Sequence, residues 1–324
     1  MAVLGFLLAV AVALCVFTPI PAALLIRKVF DGGMAEPPEN FEELKSMVDV
    51  ELNMSYGSKY GDGYADIYIP KSGEGPFPVV LWVHGGAFVG GDKSDISIYA
   101  TALAAEGFAV VCINYRRAPE AKYPTPVFQT QDAYLDLLRS RDAGYPFDMR
   151  RLVLAGDSAG AHIVAQYAAA QTNADYADML SVKQIVPNDT LRAVLLFCGP
   201  YNLKKIEEGS SPLLNFLMKN AAWAYFGTRD WSAKFADQAT IYDYLTEGFP
   251  PSFISDGNTA SFEEHARELA AALEEKNVSV RTYFIPKERE EAIHEYQFIM
   301  NTPVGVESFR ETVAFLKEHT AVVD

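Results

Sequence analysis

The sequence Gly-Asp-Ser-Ala-Gly at 156–160 carries the strongest chemical signal in the chain. An apolar, strand-like run (RLVLA) leads into it, and a helix-like run of small residues follows. This strand–turn–helix setting is typical of a G-x-S-x-G nucleophile elbow, in which a strained turn presents the serine hydroxyl at the edge of a sheet. The N-terminus of the following helix favours negative charge developing beside that hydroxyl. The sequence therefore predicts Ser158 as a catalytic nucleophile.

A second apolar run, LWV, ends in His84, Gly85 and Gly86. Glycine backbones expose their N–H groups without steric cover, which suits the binding of an oxyanion. The predicted oxyanion donors are the amides of Gly85 and Gly86, together with the amide of Ala159 after the nucleophile. His84 itself is interpreted as a structural residue that holds this loop by a hydrogen bond.

A serine nucleophile needs a base, and the chain has five histidines. His84 belongs to the oxyanion loop, and His162 lies one turn into the helix after the nucleophile. His265 lies in a charged helical pattern, and His319 is close to the C-terminus. His294 follows the last strand-like run, which is the final position in the chain order serine, acid, histidine. His294 is therefore the predicted base.

Four motifs occur in the order found in a known family: HGGAF at 84–88, NYRRAPEAKYPTP at 114–126, GDSAG at 156–160 and the late loop histidine. Over roughly residues 50–318 the chain resembles the hormone-sensitive-lipase branch of the α/β-hydrolases. The resemblance implies a Ser-His-acid hydrolase of carboxylic esters, usually of short acyl chains, that works through an acyl-enzyme and without a cofactor or metal. Ala87 replaces the third glycine of the family's HGGG motif.

The acid is the main departure from that family. Its aspartate usually stands three residues after a glycine, but here Gly257 is followed at that distance by Ala260. An alanine cannot orient an imidazole or stabilise its cation. Asp256, at the end of the strand-like run PSFIS, is the predicted substitute, with a turn-forming role as the alternative. Glu263 and Glu264 remain further candidates, although acidic residues are favoured in any first helical turn.

The order of predicted elements indicates an α/β fold. VDVELNMSY and YADIYIP alternate apolar and polar residues, as half-solvated antiparallel strands do. Six short apolar runs follow, separated by helix-like stretches at 94–106, 125–140, 159–171, 261–276 and 303–318. This pattern predicts a doubly wound, mostly parallel sheet with right-handed crossovers. The family resemblance implies that this sheet is that of the α/β-hydrolase fold, with eight strands and helices on both faces. Residues 201–248 exceed a simple connection and are predicted to form a helical lid insertion.

Residues 1–26 contain no charged side chain, and a bilayer span needs about 20 apolar residues. Residues 1–28 are therefore predicted to be a single-pass membrane anchor, with a buried helix or a cleaved, signal-like segment of a secreted protein as alternatives. Arg27 and Lys28 favour a cytoplasmic main domain. Residues 29–47 are interpreted as a lead-in, and 48–324 as the hydrolase domain.

The net charge of −15 argues against nucleic acid as a partner, since an acidic surface repels phosphate. Three cysteines cannot form a disulfide framework, and no cysteine–histidine cluster suggests a metal site. The predicted partner is a small-molecule ester. Two alternatives remain open: a catalytically impaired ligand-binding protein on the same fold, and a serine hydrolase of amides or peptides.

Overall fold

The computed structural model describes residues 14, 16–30, 32–205 and 212–322, and its centre is one eight-stranded sheet. The spatial order is β1-β2-β4-β3-β5-β6-β7-β8. β1 pairs with β2, and β2 with β4, in antiparallel register, whereas every other pairing is parallel. The strands are β1 Val48–Ser55, β2 Tyr64–Pro70, β3 Phe77–Val83, β4 Ala109–Ile113, β5 Phe147–Asp157, β6 Leu191–Phe197, β7 Ser252–Asp256 and β8 Val280–Phe284. The predicted mostly parallel sheet is confirmed.

Helices cover both faces of this sheet. Along β3, Val79, Leu81 and Val83 belong to one buried cluster, while Val80 and Trp82 belong to the cluster on the opposite face. Strands that are buried on both faces have apolar residues at nearly every position, which explains the short apolar runs in the sequence. The helices are α1 Ile20–Phe30, α2 Phe41–Ser46, α3 Ser97–Ala105, α4 Thr125–Asp142, α5 Ala159–Thr172, α6 Ala174–Leu180, α7 Pro212–Phe226, α8 Trp231–Ala239, α9 Glu263–Glu275 and α10 Pro303–His319.

Parallel pairing brings the carboxyl ends of the central strands to one edge of the sheet. In open α/β sheets this edge is where ligands bind, because the connecting loops meet there. His84, Ser158 and His294 lie in the loops after β3, β5 and β8, and Asp256 is the last residue of β7. The fold thus gathers side chains that lie more than 200 residues apart in the chain.

The segment 201–248 contains α7 and α8, joined through aromatic side chains. The ring of Phe226 stacks on Trp231 and on Phe235, with ring centroids 5.5 and 5.3 Å apart. The ring centroids of Phe226 and Tyr123 are 5.0 Å apart, and this contact packs the segment against the loop before α4. The predicted helical content is present here, and its role as a lid remains a prediction.

The N-terminal helix differs from the prediction. α1 has 11 residues, about 16 Å long, whereas a bilayer core is about 30 Å thick. It packs on α7, and its Arg27 guanidinium donates to the carbonyl oxygens of Val89 and Ala118 at 2.6 and 2.8 Å and pairs with Glu120. Among the described residues no helix has the length and apolar character needed to cross a membrane. The predictions of a single-pass anchor, a membrane partner and a membrane location are therefore wrong; residues 1–13 and 15 lie outside the described residues.

Candidate active site

Ser158 lies at a sharp turn between β5 and α5. Its backbone has φ 47° and ψ −117°, a strained conformation for a residue other than glycine. The turn needs a glycine two residues later, because a Cβ on Gly160 would lie 1.9 Å from the carbonyl oxygen of Val83. The Ser158 amide donates to the carbonyl oxygen of Phe197 at 2.7 Å. The predicted elbow is therefore built as its sequence pattern indicates.

His294 lies in the loop after β8, next to that serine. Its Nε2 atom is 3.0 Å from the Oγ atom of Ser158. The ring of Phe262 stands edge-on to the imidazole, with 5.6 Å between centroids. About 20% of the His294 side chain is exposed, and the burial of the remainder lowers its pKa to about 4. The imidazole is therefore neutral at pH 7 and can accept the serine proton.

Asp256 ends β7 and is fully buried, but it makes no direct hydrogen bond to His294. Its Oδ1 atom accepts a hydrogen bond from the Ser261 hydroxyl, and the Oγ atom of Ser261 is 2.7 Å from His294 Nδ1. The second carboxyl oxygen, Oδ2, has no partner among the described residues. Burial raises the pKa of Asp256 to about 7, and the hydrogen bond from Ser261 opposes this rise.

The alternative acids lie elsewhere. Glu263 pairs with Arg267 at 2.6 Å on the surface of α9, and Glu264 is 3.4 Å from the Nζ atom of Lys205. Neither carboxylate hydrogen-bonds to His294. Ala260, at the family's usual aspartate position, has φ 49°, which lies in the left-handed region. Asp256 is thus the candidate acid that the structure brings into the neighbourhood of the base.

The loop after β3 departs from the prediction at one position. The Gly85 amide donates to the Oδ2 atom of Asp157 at 2.7 Å and is not available to an oxyanion, so that part of the prediction is wrong. No acceptor among the described residues takes the amides of Gly86 or Ala87. Ala87 and Ala159 both line the cavity that contains Ser158. The candidate oxyanion donors are therefore the amides of Gly86, Ala87 and Ala159.

Buried polar groups support this loop from behind. His84 Nδ1 donates to the Gly85 carbonyl oxygen at 2.7 Å, and its ring stacks on Tyr115 with 4.5 Å between centroids. This confirms the structural interpretation of His84. Asp157 also accepts from Trp82 Nε1 at 2.7 Å. The same carboxylate therefore joins the elbow, the loop and the core.

Glu295, next to the base, was missed by the sequence reasoning. Burial raises its pKa well above the usual range, and its neutral carboxyl donates to Asp157. Burial also raises the pKa of Asp157, to about 6. The Oε1 atom of Glu295 is 3.7 Å from His294 Nε2. Its position next to His294 in the sequence could have indicated a role in the site. Acidic loop residues are ordinarily exposed to solvent, however, so the sequence did not indicate that Glu295 is buried.

The cavity beside Ser158 has a volume of about 370 Å³ and mostly apolar walls. Side chains from the N-terminal region, the 201–248 segment and the start of α9 form these walls: Phe30, Met34, Leu203, Met218, Phe226 and Phe262. Polar side chains also line it, namely Lys205, Asn215, Glu264 and His265. Such a site buries an apolar ligand group while leaving a few polar contacts to orient it.

Cys198, Asp256 and His294 place potential metal ligands within 4.8 Å of one another. However, both nitrogens of His294 already have hydrogen-bond partners. Burial also raises the pKa of the Cys198 thiol well above its usual value, whereas a metal ligand must be the thiolate. These residues therefore fit a hydrogen-bonded cluster better than a metal centre.

The sheet order, the elbow serine and the histidine after the last strand define an α/β-hydrolase. A family model described as BD-FAE matches residues 65–271, and the chain belongs to that family. The resemblance to the hormone-sensitive-lipase branch is confirmed. A crystal structure of esterase B from Lactobacillus Rhamnosis matches with a TM-score of 0.74 and 21% identity, covering 99% of this chain and 97% of that one.

Two plant relatives are similar over shorter lengths. The chain is 37% identical over 109 residues to a probable isoprenylcysteine alpha-carbonyl methylesterase of Arabidopsis thaliana, covering 33% of this chain and 23% of the relative. It is 28% identical over 232 residues to a protein of the same description from Oryza sativa subsp. japonica, covering 60% of this chain and 53% of the relative. The chain thus spans about half or less of the length of these relatives.

Proposed function

We propose that this protein is a serine hydrolase that cleaves carboxylic esters through an acyl-enzyme. The observation that carries the proposal is the 3.0 Å contact between Ser158 Oγ and His294 Nε2, made on a strained elbow that opens into an apolar cavity. A neutral imidazole within hydrogen-bond reach of a serine hydroxyl is the arrangement that general-base catalysis requires.

In the proposed first half-reaction, Ser158 Oγ attacks the ester carbonyl carbon while His294 Nε2 takes its proton. The carbonyl oxygen becomes an oxyanion, which the amides of Gly86, Ala87 and Ala159 bind. The C–O bond to the alcohol then breaks, and the imidazolium returns the proton to the leaving oxygen. Water repeats the sequence on the acyl-enzyme, with His294 again acting as the base. Asp256 is the proposed acid, and it stabilises the imidazolium.

The proposed substrates are esters with an apolar acyl or alcohol group that fits a cavity of about 370 Å³. The named methylesterase relatives support an ester of this kind. Residues 48–324 are the proposed hydrolase domain. The 201–248 segment serves as the proposed lid, since Met218 and Phe226 contribute to the cavity wall.

The test combines hydrolysis of p-nitrophenyl butyrate with covalent labelling by a fluorophosphonate. Ser158→Ala is expected to abolish labelling and to lower kcat by several orders of magnitude, because a nucleophile and its base act as a unit. Ser232→Ala, an exposed serine on α8, is the matched control and should change neither measurement. Near-normal turnover in Ser158→Ala would overturn the proposal. A wild-type protein that resists labelling would favour the ligand-binding alternative, and turnover of amides alone would favour an amidase.

A further inference from the structure

Ser261 lies directly between the candidate acid and the candidate base. Its Oγ atom is 2.7 Å from His294 Nδ1, and the same hydroxyl donates to Asp256 Oδ1. A carboxyl oxygen of Asp256 lies within 4.8 Å of one ring nitrogen of His294, without a direct hydrogen bond between the two residues. Asp256 therefore reaches the imidazole through a hydroxyl.

The number of protons fixes the direction of this chain of hydrogen bonds. A serine hydroxyl has one hydrogen, and Ser261 uses it to donate a hydrogen bond to the Asp256 carboxylate. Its Oγ atom can then only accept, so His294 Nδ1 must carry a hydrogen. That tautomer leaves the lone pair of Nε2 free to accept the proton of Ser158, 3.0 Å away.

Hydrogen bonds join the loop after β7, which carries Ser261, to the loop after β8, which carries His294. The amide of Thr259 donates to the Ala292 carbonyl oxygen at 3.0 Å. The side chain of Asn258 donates to the carbonyl oxygens of Ile285 and Glu290, both at 2.9 Å, and accepts from the Ala292 amide at 3.1 Å. A Cβ on Gly257 would lie 2.3 Å from the Ile293 carbonyl oxygen. The position of Ser261 relative to His294 is therefore set by hydrogen bonds between the two loops, together with the close approach of Gly257 to Ile293.

We propose that Ser261 is a positioning residue that transmits the orienting and charge-stabilising effect of Asp256 to His294. This inference rests on the proposed function and deepens it. A relay of four side chains, Asp256–Ser261–His294–Ser158, stands where the family places a direct carboxylate contact. Ser261 moves no proton in this scheme; it donates one hydrogen bond and accepts another while the imidazolium forms.

The relay also gives Asp256 control over the tautomer of the base. A protonated Asp256 can donate to Ser261, whose hydroxyl then turns to donate to His294 Nδ1. The ring hydrogen must then lie on Nε2, which cannot accept from Ser158. Because burial raises the pKa of Asp256 to about 7, this reversal falls within an accessible pH range.

Other titratable groups around the imidazole do not remove this effect. Glu295 is neutral, since burial raises its pKa, and burial likewise keeps the Cys198 thiol protonated. His265 on α9 is neutral because burial lowers its pKa to about 4. Lys205 and Glu264 line the same cavity and form an ion pair of 3.4 Å.

The experiment measures kcat, and kcat/KM across pH 5 to 9, for p-nitrophenyl butyrate in the wild-type protein, Ser261→Ala and Ser261→Thr. Ser261→Ala should lower kcat by about 10²-fold, less than the loss of about 10⁴ seen when a directly bonded acid is neutralised. Its acid limb should move to lower pH, because the titration of Asp256 no longer reaches the base. Ser261→Thr keeps the hydroxyl and should restore both the rate and the pH profile to near wild type.

A double variant separates the relay from a direct contact. Groups in series are not additive, so Asp256→Asn/Ser261→Ala should be no slower than Ser261→Ala alone, whereas independent groups would multiply their losses. A Ser261→Ala protein with normal kcat and an unchanged acid limb would overturn the inference. If that protein is fully active while Ser158→Ala is inactive, only the relay fails. If the wild type is neither active nor labelled by a fluorophosphonate, the proposed function fails with it.

Discussion

The nucleophile half of the site and the acid–base half are built in different ways. On the nucleophile side, Ser158 and its loop partners are held by close backbone contacts such as that of Gly160 with the Val83 carbonyl oxygen. On the acid–base side, Asp256 and His294 are joined by side-chain hydrogen bonds through Ser261. The first half allows little variation in residue type. The second half allows the acid to be displaced as long as a chain of hydrogen bonds replaces it.

The largest expected effect is on the base itself. His294→Ala should lower kcat for p-nitrophenyl butyrate by about 10⁵-fold or more, because the serine then has no proton acceptor. His319→Gln, at the end of α10, is the control and should stay active. An active His294→Ala protein would show that the two halves do not work as one unit.

The nucleophile half should resist changes in size. Gly160→Ala forces a Cβ against the Val83 carbonyl oxygen, and overpacking of this severity should lower the free energy of unfolding by about 3 kcal/mol or more. Gly248→Ala is the matched control, since its Cβ would meet atoms no closer than 3.5 Å. Urea unfolding of the two variants makes the comparison. Equal stability would mean that the elbow is looser than its contacts indicate.

The acid–base half should respond in rate rather than in stability. Asp256→Asn should lower kcat by about 10²-fold, because the neutral amide stabilises the imidazolium poorly. Glu263→Gln and Glu264→Gln should remain within a few-fold of wild type, since their carboxylates pair with Arg267 and Lys205. The opposite ranking in steady-state kinetics would transfer the acid role to α9.

The smallest expected effect concerns Glu295, whose raised pKa means that the folded state favours its neutral form. Its stabilising contribution is therefore complete below the unfolded pKa of about 4.3 and declines as pH rises toward the folded value. Glu295→Gln keeps a donor to Asp157 but cannot ionise. The free energy of unfolding should consequently fall less in this variant than in wild type as the pH is raised above about 4.3. Parallel pH curves would contradict this prediction.

The nucleophile itself could be predicted from the sequence because its signals are local. Ser158, with its flanking strand and helix, lies within one short stretch, and the pairing with His294 followed from chain order. The role of Ser261 could not be read in the same way, since it depends on the register between the 257–261 loop and the 292–294 segment. That register is set by hydrogen bonds such as the one from Thr259 to Ala292.

The two wrong predictions, Gly85 as an oxyanion donor and the N-terminus as a membrane anchor, share a physical cause. Gly85 carries the right residue type for an oxyanion donor, but its amide direction depends on Asp157, 72 positions later. The apolar N-terminus resembles an anchor by composition, whereas Arg27 finds its acceptors in loops that follow β3 and β4. An apolar composition indicates that a segment will be buried, but it does not indicate whether lipid or another part of the same chain buries it.

The attachment of α1 has a consequence for folding during synthesis. Its Arg27 partners Val89, Ala118 and Glu120 are synthesised 62 to 93 residues later, and α7 starts only at Pro212. During synthesis this helix therefore leaves the ribosome well before these partners exist. Exposed apolar surface on incomplete chains promotes association with other molecules. The first helix among the described residues is thus one that must wait for most of the sheet before it can dock.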